Sequence, residues 1–208
     1  MAIEQTRITF LRHGQPEGEG CARGKTDFAL TEKGFEQMLQ AATHAPVAQQ
    51  IITSPLVRCA RFAKAKAAEW QVDCLQDASW QEYDFGEWDG LSWQTIEQQD
   101  GETLRAFFSN PWQVTPKGAE SMATFDQRIE GAWQRLLAQY RGQSVMVVTH
   151  AGVMKQLMSL LLQIPKEGAF WQRIYLPYAA LMSVAITHDE QGQDWIQVQW
   201  PDLAANLK

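Results

Sequence analysis

Arg12-His13-Gly14 follows the apolar run Ile8-Thr9-Phe10-Leu11, so a guanidinium and an imidazole stand where a buried strand ends. In open α/β sheets, ligands bind in the crevice beyond the carboxyl ends of the strands. An imidazole placed there can act as a nucleophile, and a guanidinium beside it can grip a phosphate with a bidentate fork. Val147-Val148-Thr149-His150-Ala151-Gly152 repeats the arrangement, with a histidine where an apolar strand hands over to a helix. Ser54-Pro55-Leu56-Val57-Arg58 sets another guanidinium in the first turns of a helix after a strand. Free N–H groups and the helix dipole favour an anion there, although Arg58 taken alone also reads as a surface arginine. Glu82-Tyr83-Asp84-Phe85-Gly86-Glu87-Trp88-Asp89-Gly90 brings carboxylates together with aromatic residues. A carboxyl held among aromatic side chains such as Phe85 and Trp88 can have its pKa raised towards proton donation to a leaving oxygen. Spacing alone does not choose among Glu82, Asp84, Glu87 and Asp89. His44, at a helix end, and His188, beside a hairpin turn, read as structural.

The elements that must position these groups alternate. Ile8–Leu11, Ile51-Ile52, Val72–Leu75 and Val145–Val148 read as strands. Thr31 is the expected N-cap of a helix carrying Phe35, Met38, Leu39 and Ala42 on one face. Ser54 is the expected N-cap of the next helix, with Pro55 at its first position, running to about Trp70. From Ser121, residues Met122, Phe125, Ile129, Trp133, Leu136, Leu137 and Tyr140 fall on one helical stripe. A further helix runs from about Ala151 to Leu162, and Leu181–Ile186 with Trp195–Val198 reads as a terminal hairpin. Between Ser79 and Glu120 the pattern loosens and tryptophans crowd, which suggests an insertion or lid. The expectation is one α/β domain over residues 1–208, a three-layer α/β/α sandwich on a mostly parallel sheet.

Composition narrows the function. A 45% hydrophobic and 20% charged chain is that of an ordinary globule, and a net charge of −6 argues against a general nucleic-acid binder. Cys21, Cys59 and Cys74 are odd in number and form no CxxC pair, which suits a reducing compartment. No signal peptide is read at the N-terminus, and Val153–Ile164 is too short and too polar to span a bilayer. A cytoplasmic protein with no membrane partner is expected, and its oligomeric state is not legible.

Together the motifs RHG, SPLxR, ExxFGxWxG and VVTHxG, in that order, resemble the histidine phosphatase superfamily, whose members have the phosphoglycerate-mutase-like fold. The likeness covers nearly the whole chain and includes Gly118-Ala119-Glu120-Ser121, which looks like the family's Gly-Glu-Ser segment with one residue inserted. It implies a phosphohistidine formed on His13, with Arg12, Arg58 and His150 binding the phosphate oxygens. It makes Glu82 the proton donor and acceptor and calls for no metal or other cofactor. Gln15 and Arg23, on the loop after the nucleophile, are candidate substrate contacts. The chain departs from the family's usual RHGE-T by reading Arg12-His13-Gly14-Gln15-Pro16, with Glu17-Gly18-Glu19 where an asparagine is often found.

The partner implied is a small-molecule phosphate ester. Leu91–Glu120 holds only Arg105 and Lys117 as basic residues, few for a bisphosphate, which favours a phosphatase over a mutase. Length and the Glu82–Gly90 segment look like the α-ribazole-5′-phosphate phosphatases of cobalamin assembly. Trp80, Trp88, Trp93 and Trp112 offer either stacking surfaces for a benzimidazole or simple packing. A phosphoglycerate mutase, a broad-range sugar or nucleotide phosphatase and a catalytically silent binding protein are the other readings.

Overall fold

Strand β1 (Glu4–Arg12) sends Ile8 and Phe10 to one side and Leu11 to the other, and all three are fully buried. Strand β4 (Ser144–Thr149) does the same with Val145 and Val147 against Met146 and Val148. Strands covered on both faces are apolar throughout, which is why these two runs lack alternation. In this computed structural model, which describes residues 4–18 and 20–200, the sheet order is β3-β2-β4-β1-β5-β6. Glu19 lies outside the described residues. Strands β3 (Asp73–Gln76), β2 (Gln50–Thr53), β4 and β1 are parallel, while β5 (Leu181–His188) and β6 (Asp194–Gln199) form the antiparallel terminal hairpin. The sheet is therefore mixed and mostly parallel, as expected.

Helices cover both faces. Helices α1 (Glu32–Ala42) and α2 (Val57–Trp70) bring Met38, Phe62 and Ala63 onto Leu11, Ile51, Met146 and Val148. On the other face α4 (Met122–Gln139) and α5 (Ala151–Leu161) bury Phe125, Ile129, Trp133, Val153 and Leu157. Each such side chain contributes about 1.5–3 kcal/mol by leaving water. No described helix is long and apolar enough to cross a membrane.

Two expectations need correction. Thr31 caps α1 by accepting from the Gly34 N–H at 2.9 Å, but Ser54 does not cap α2. That helix begins at Val57, with Leu56 in the cap position. The cap is supplied from another loop: Asp27 Oδ1 accepts from the Val57 N–H at 2.7 Å. Segment 79–120 is also more ordered than its sequence pattern suggests. It contains helix α3 (Trp93–Ser109), which buries Ile96, Leu104 and Phe107 and is interrupted by non-helical Asp100. The Asp100 carboxylate accepts from the Trp88 indole at 3.1 Å, so the break in the helix serves a buried donor.

Candidate active site

The parallel register pairs Arg12 with Thr149, and the next residues along the two strands, His13 and His150, therefore meet beyond the sheet. Their ring centroids are 5.2 Å apart with the planes at 62°. His13 donates its backbone N–H to Thr149 O at 2.9 Å, locking the two strand ends together. Its ring Nδ1 lies 2.8 Å from Gly14 O. A carbonyl only accepts, so Nδ1 carries the hydrogen and Nε2 keeps its lone pair. Burial, then the charges of Arg58 and Arg12, hold the His13 pKa well below its ordinary value, so the ring is neutral. Burial followed by Arg58 and His13 does the same to His150. His150 is fully buried, with Nε2 2.8 Å from Ser54 Oγ. The hydroxyl read from sequence as a helix cap instead orients the second histidine.

Arg58 is also fully buried, on the second residue of α2. Its Nη1 donates to Thr26 O at 3.0 Å, and its Nη2 to Gly24 O at 2.8 Å and Arg23 O at 3.3 Å. Arg12 donates through Nη1 to Leu176 O, and its guanidinium sits 4.4 Å over the Tyr178 ring. Neither arginine has a carboxylate in hydrogen-bond contact among the described residues. The Nε–H of each is buried and has no partner there. An unmade buried N–H bond costs about 1–3 kcal/mol, so two such donors around a neutral histidine mark a place built for an anion.

Glu82 is fixed through both carboxylate oxygens. Oε2 accepts from the Gly152 N–H and Oε1 from the Tyr83 N–H, each at 3.0 Å. Gly152 is the second residue of α5, so the carboxylate sits against the positive end of that helix. A Cβ on residue 152 would lie 2.2 Å from Glu82 Oε1, and only glycine permits this approach. The neighbouring carboxylates are occupied elsewhere. Asp84 pairs with Lys25, Glu87 meets Lys117 at 2.8 Å, and Asp89 accepts from the Lys25 and Thr26 N–H groups. Glu120 holds the Glu82 loop directly, accepting from the Asp84 N–H at 2.9 Å, and through Arg128, whose Nη2 it binds at 2.6 Å and which donates to Gln81 O and Glu82 O.

A cavity of about 360 Å³ is lined by Arg12, His13, Arg23, Glu82, Lys155 and five aromatic side chains, whereas Arg58 and His150 are fully buried and do not line it. The aromatics are Phe85, Trp93, Phe108, Trp171 and Tyr178. Arg23 bonds to Glu17 O at 3.1 Å and to the Tyr178 hydroxyl at 3.3 Å. Gln15 is not among the lining residues; its N–H donates to Gln37 Oε1 at 2.9 Å, tying the loop to α1. Trp80 and Trp88 are packed in the core and Trp112 is half-buried, leaving Trp93 as the one expected tryptophan on the cavity. Arg105 and Lys117 pair with Glu97 and Glu87 and do not line it. Lys155, Trp171 and Tyr178 are additions that the sequence reading missed. The one available signal was Lys155, a lone cation in the most apolar helix, three residues after Gly152. A larger groove of about 600 Å³ lies elsewhere, lined by Tyr175, Leu176, Pro177 and Trp200 among others. It holds neither His13 nor His150, so size does not mark the site. Among the described residues, no group of three or more His, Cys, Asp or Glu side chains is arranged to hold a metal ion.

The family model of the histidine phosphatase superfamily, branch 1, matches residues 8–199. The chain belongs to that superfamily. It is 31% identical over 183 residues to the bifunctional protein Rv2228c of Mycobacterium tuberculosis, covering 85% of this chain. The chain spans about half the length of that relative, 49%. It is 29% identical over 173 residues to the adenosylcobalamin/alpha-ribazole phosphatase of Escherichia coli, covering 81% of this chain and 85% of that one. Among solved structures, Bacillus stearothermophilus YhfR superposes with a TM-score of 0.83 at 26% identity, covering 93% and 96% of the two chains. The expected α/β architecture is thus that of the superfamily.

Proposed function

We propose that this histidine phosphatase superfamily member is a phosphomonoesterase acting through a phosphohistidine at His13, with α-ribazole 5′-phosphate as its ester. The observation that carries the chemistry is the free Nε2 of a neutral His13 beside two partnerless guanidinium N–H groups. A phosphate dianion between Arg12 and Arg58 satisfies both donors and both charges. His13 Nε2 attacks phosphorus, and the bond to the alcohol oxygen breaks as protonated Glu82 gives that oxygen its proton. Glu82, now a carboxylate, takes a proton from water as the water oxygen attacks the phosphohistidine. Inorganic phosphate leaves and His13 is restored. His150 and the arginines stabilise the charge on the transferring group in both steps.

Support for the alcohol comes from the five aromatic side chains around the cavity and from the Escherichia coli relative's name. Each aromatic contact with a benzimidazole is worth about 0.5–1.5 kcal/mol beyond area burial. Segment 79–120 supplies Glu82, Phe85, Trp93 and Phe108 and acts in this reading as the cover of a single-domain site. Cys21, Cys59 and Cys74 form no disulfide among the described residues, which in this reading suits a reducing compartment such as the cytoplasm. The test is a rapid quench in alkali, where a phosphohistidine survives, with phosphorus-labelled α-ribazole 5′-phosphate, run beside 3-phosphoglycerate, sugar phosphates and nucleotides. An acid-labile phosphoenzyme mapping to His13 and a preference for the ribazole ester are expected. Equal rates on every ester remove the substrate assignment, and no turnover of any ester removes the enzyme reading.

A further inference from the structure

Glu82 is the proton donor in the reading above, so whatever stands beside it faces the departing alcohol. That neighbour is Trp171, on the short helix α6 (Phe170–Arg173). A Cβ on residue 152 would meet Glu82 Oε1 at 2.2 Å and the Trp171 ring edge at 3.1 Å, so the indole and the carboxylate flank the same glycine. The indole lines the cavity and stacks edge-on against Tyr83 and Phe125 at 6.0 and 5.5 Å.

The indole is held from behind. Its Nε1–H donates to Gln156 Oε1 at 3.2 Å, and Gln156 Nε2 donates to Asp126 Oδ1 at 2.5 Å. Gln156 and Asp126 are both buried, and Lys166 closes the chain on Asp126 Oδ2 at 2.5 Å. The Trp171 carbonyl is fixed as well, accepting from Lys155 Nζ at 2.7 Å. A buried amide and a buried carboxylate are costly unless paired, and here their pairing ends on one ring in the cavity wall. Neither group touches His13, Arg12 or Arg58 through any hydrogen bond.

We propose that Trp171 is the specificity-determining platform for the alcohol, selecting a flat heteroaromatic base, and that Gln156 and Asp126 are positioning residues that fix its plane. This rests on the phosphatase reading. The test compares α-ribazole 5′-phosphate with ribose 5-phosphate, which share the leaving oxygen and differ by the base. The readout is the ratio of their kcat/KM values. Trp171→Leu is expected to lower that ratio about tenfold, chiefly through KM of the ribazole ester. Gln156→Leu should move the ratio the same way by a smaller factor, and Trp171→Phe, which keeps an aromatic face, should recover part of it. Circular dichroism and the thermal midpoint establish that each variant is folded; Trp171→Phe is the arm least exposed to misfolding. A wild-type ratio near one, or folded variants that lose both activities in proportion, overturns the platform while leaving the phosphatase standing. No turnover of either ester, or of the wider panel, overturns both.

Discussion

Two ends of the same sheet hold histidines in opposite company. At the end where β1 starts, His188 is buried with Nε2 2.6 Å from Thr6 Oγ1 and Nδ1 2.6 Å from Asp194 Oδ1. Hydroxyl, imidazole and carboxylate stand in the order of a nucleophilic triad. Yet Thr6 is fully buried and its hydroxyl also accepts the Gly142 N–H at 2.8 Å. At the other end, among the described residues, His13 has no carboxylate in hydrogen-bond contact, only a carbonyl, and the arginines beside it keep unpaired N–H groups. The triad-like set, satisfied and closed, ties β1, β5 and β6 together. Of the unsatisfied set, Arg12 lines a cavity together with His13, while Arg58 is fully buried. A list of residue types does not separate these two clusters; what differs is which polar groups are left wanting a partner among the described residues.

The largest effect that sharpens this contrast is at His13. His13→Ala is expected to bring ester hydrolysis below detection and to leave no labelled phosphoenzyme after a quench in alkali, which preserves a phosphohistidine. Turnover by this variant at the wild-type rate would falsify the covalent scheme. Glu82→Gln comes next. It should slow alkyl esters by about 10²–10⁴-fold, the usual worth of a positioned general acid. Phenyl esters bearing a nitro group leave without protonation and should lose far less. Steady-state rates on the two ester classes measure the difference, and an equal loss on both would mean that Glu82 holds substrate instead of moving a proton.

Much of this was legible in the sequence because the central strands are uninterrupted apolar runs and each of the two histidines that meet beyond the sheet closely follows one. His13 and His150 stand out by that pattern, whereas Arg58 taken alone also read as a surface arginine and the structure buries it completely. Spacing did not choose among Glu82, Asp84, Glu87 and Asp89 and only the family resemblance pointed to Glu82; what three dimensions add is that the other three are engaged by Lys25, Lys117 and the Thr26 N–H. Helix α3 was hidden by Asp100-Gly101, which breaks its period where the Trp88 indole needs an acceptor. Trp171 and Tyr178 reach the cavity on the stretch between α5 and β5, which has no periodicity to read, and Trp171 is held by Gln156 from the preceding helix. Ser54 misled for a physical reason: an oxygen suited to capping was also within reach of a buried imidazole, and the histidine took it.

Two smaller effects test the contrast through stability. His188→Phe removes the centre of the closed cluster and leaves Thr6 and Asp194 short of a partner, a loss of about 1–3 kcal/mol. At about 2–4 °C per kcal/mol for a chain of this size, the melting midpoint should fall by several degrees while kcat/KM at 25 °C stays as it was. A large fall in kcat/KM with the fold intact would put this cluster in the catalytic machinery.

The last effect is a slope. Because the folded protein holds the His13 and His150 pKa values well below the unfolded value of about 6.5, the unfolded chain takes up protons first as the medium is acidified. Stability from these two neutral rings is fully present above about pH 6.5 and drains away below it, until the folded-state pKa values are reached. His13→Asn deletes one of the two titrations, so its midpoint should fall less steeply than that of the wild type between about pH 6.5 and 5. Burial and the Arg58 and Arg12 charges are what depress the ring; if the two slopes coincide, those charges do not reach His13 as the geometry requires.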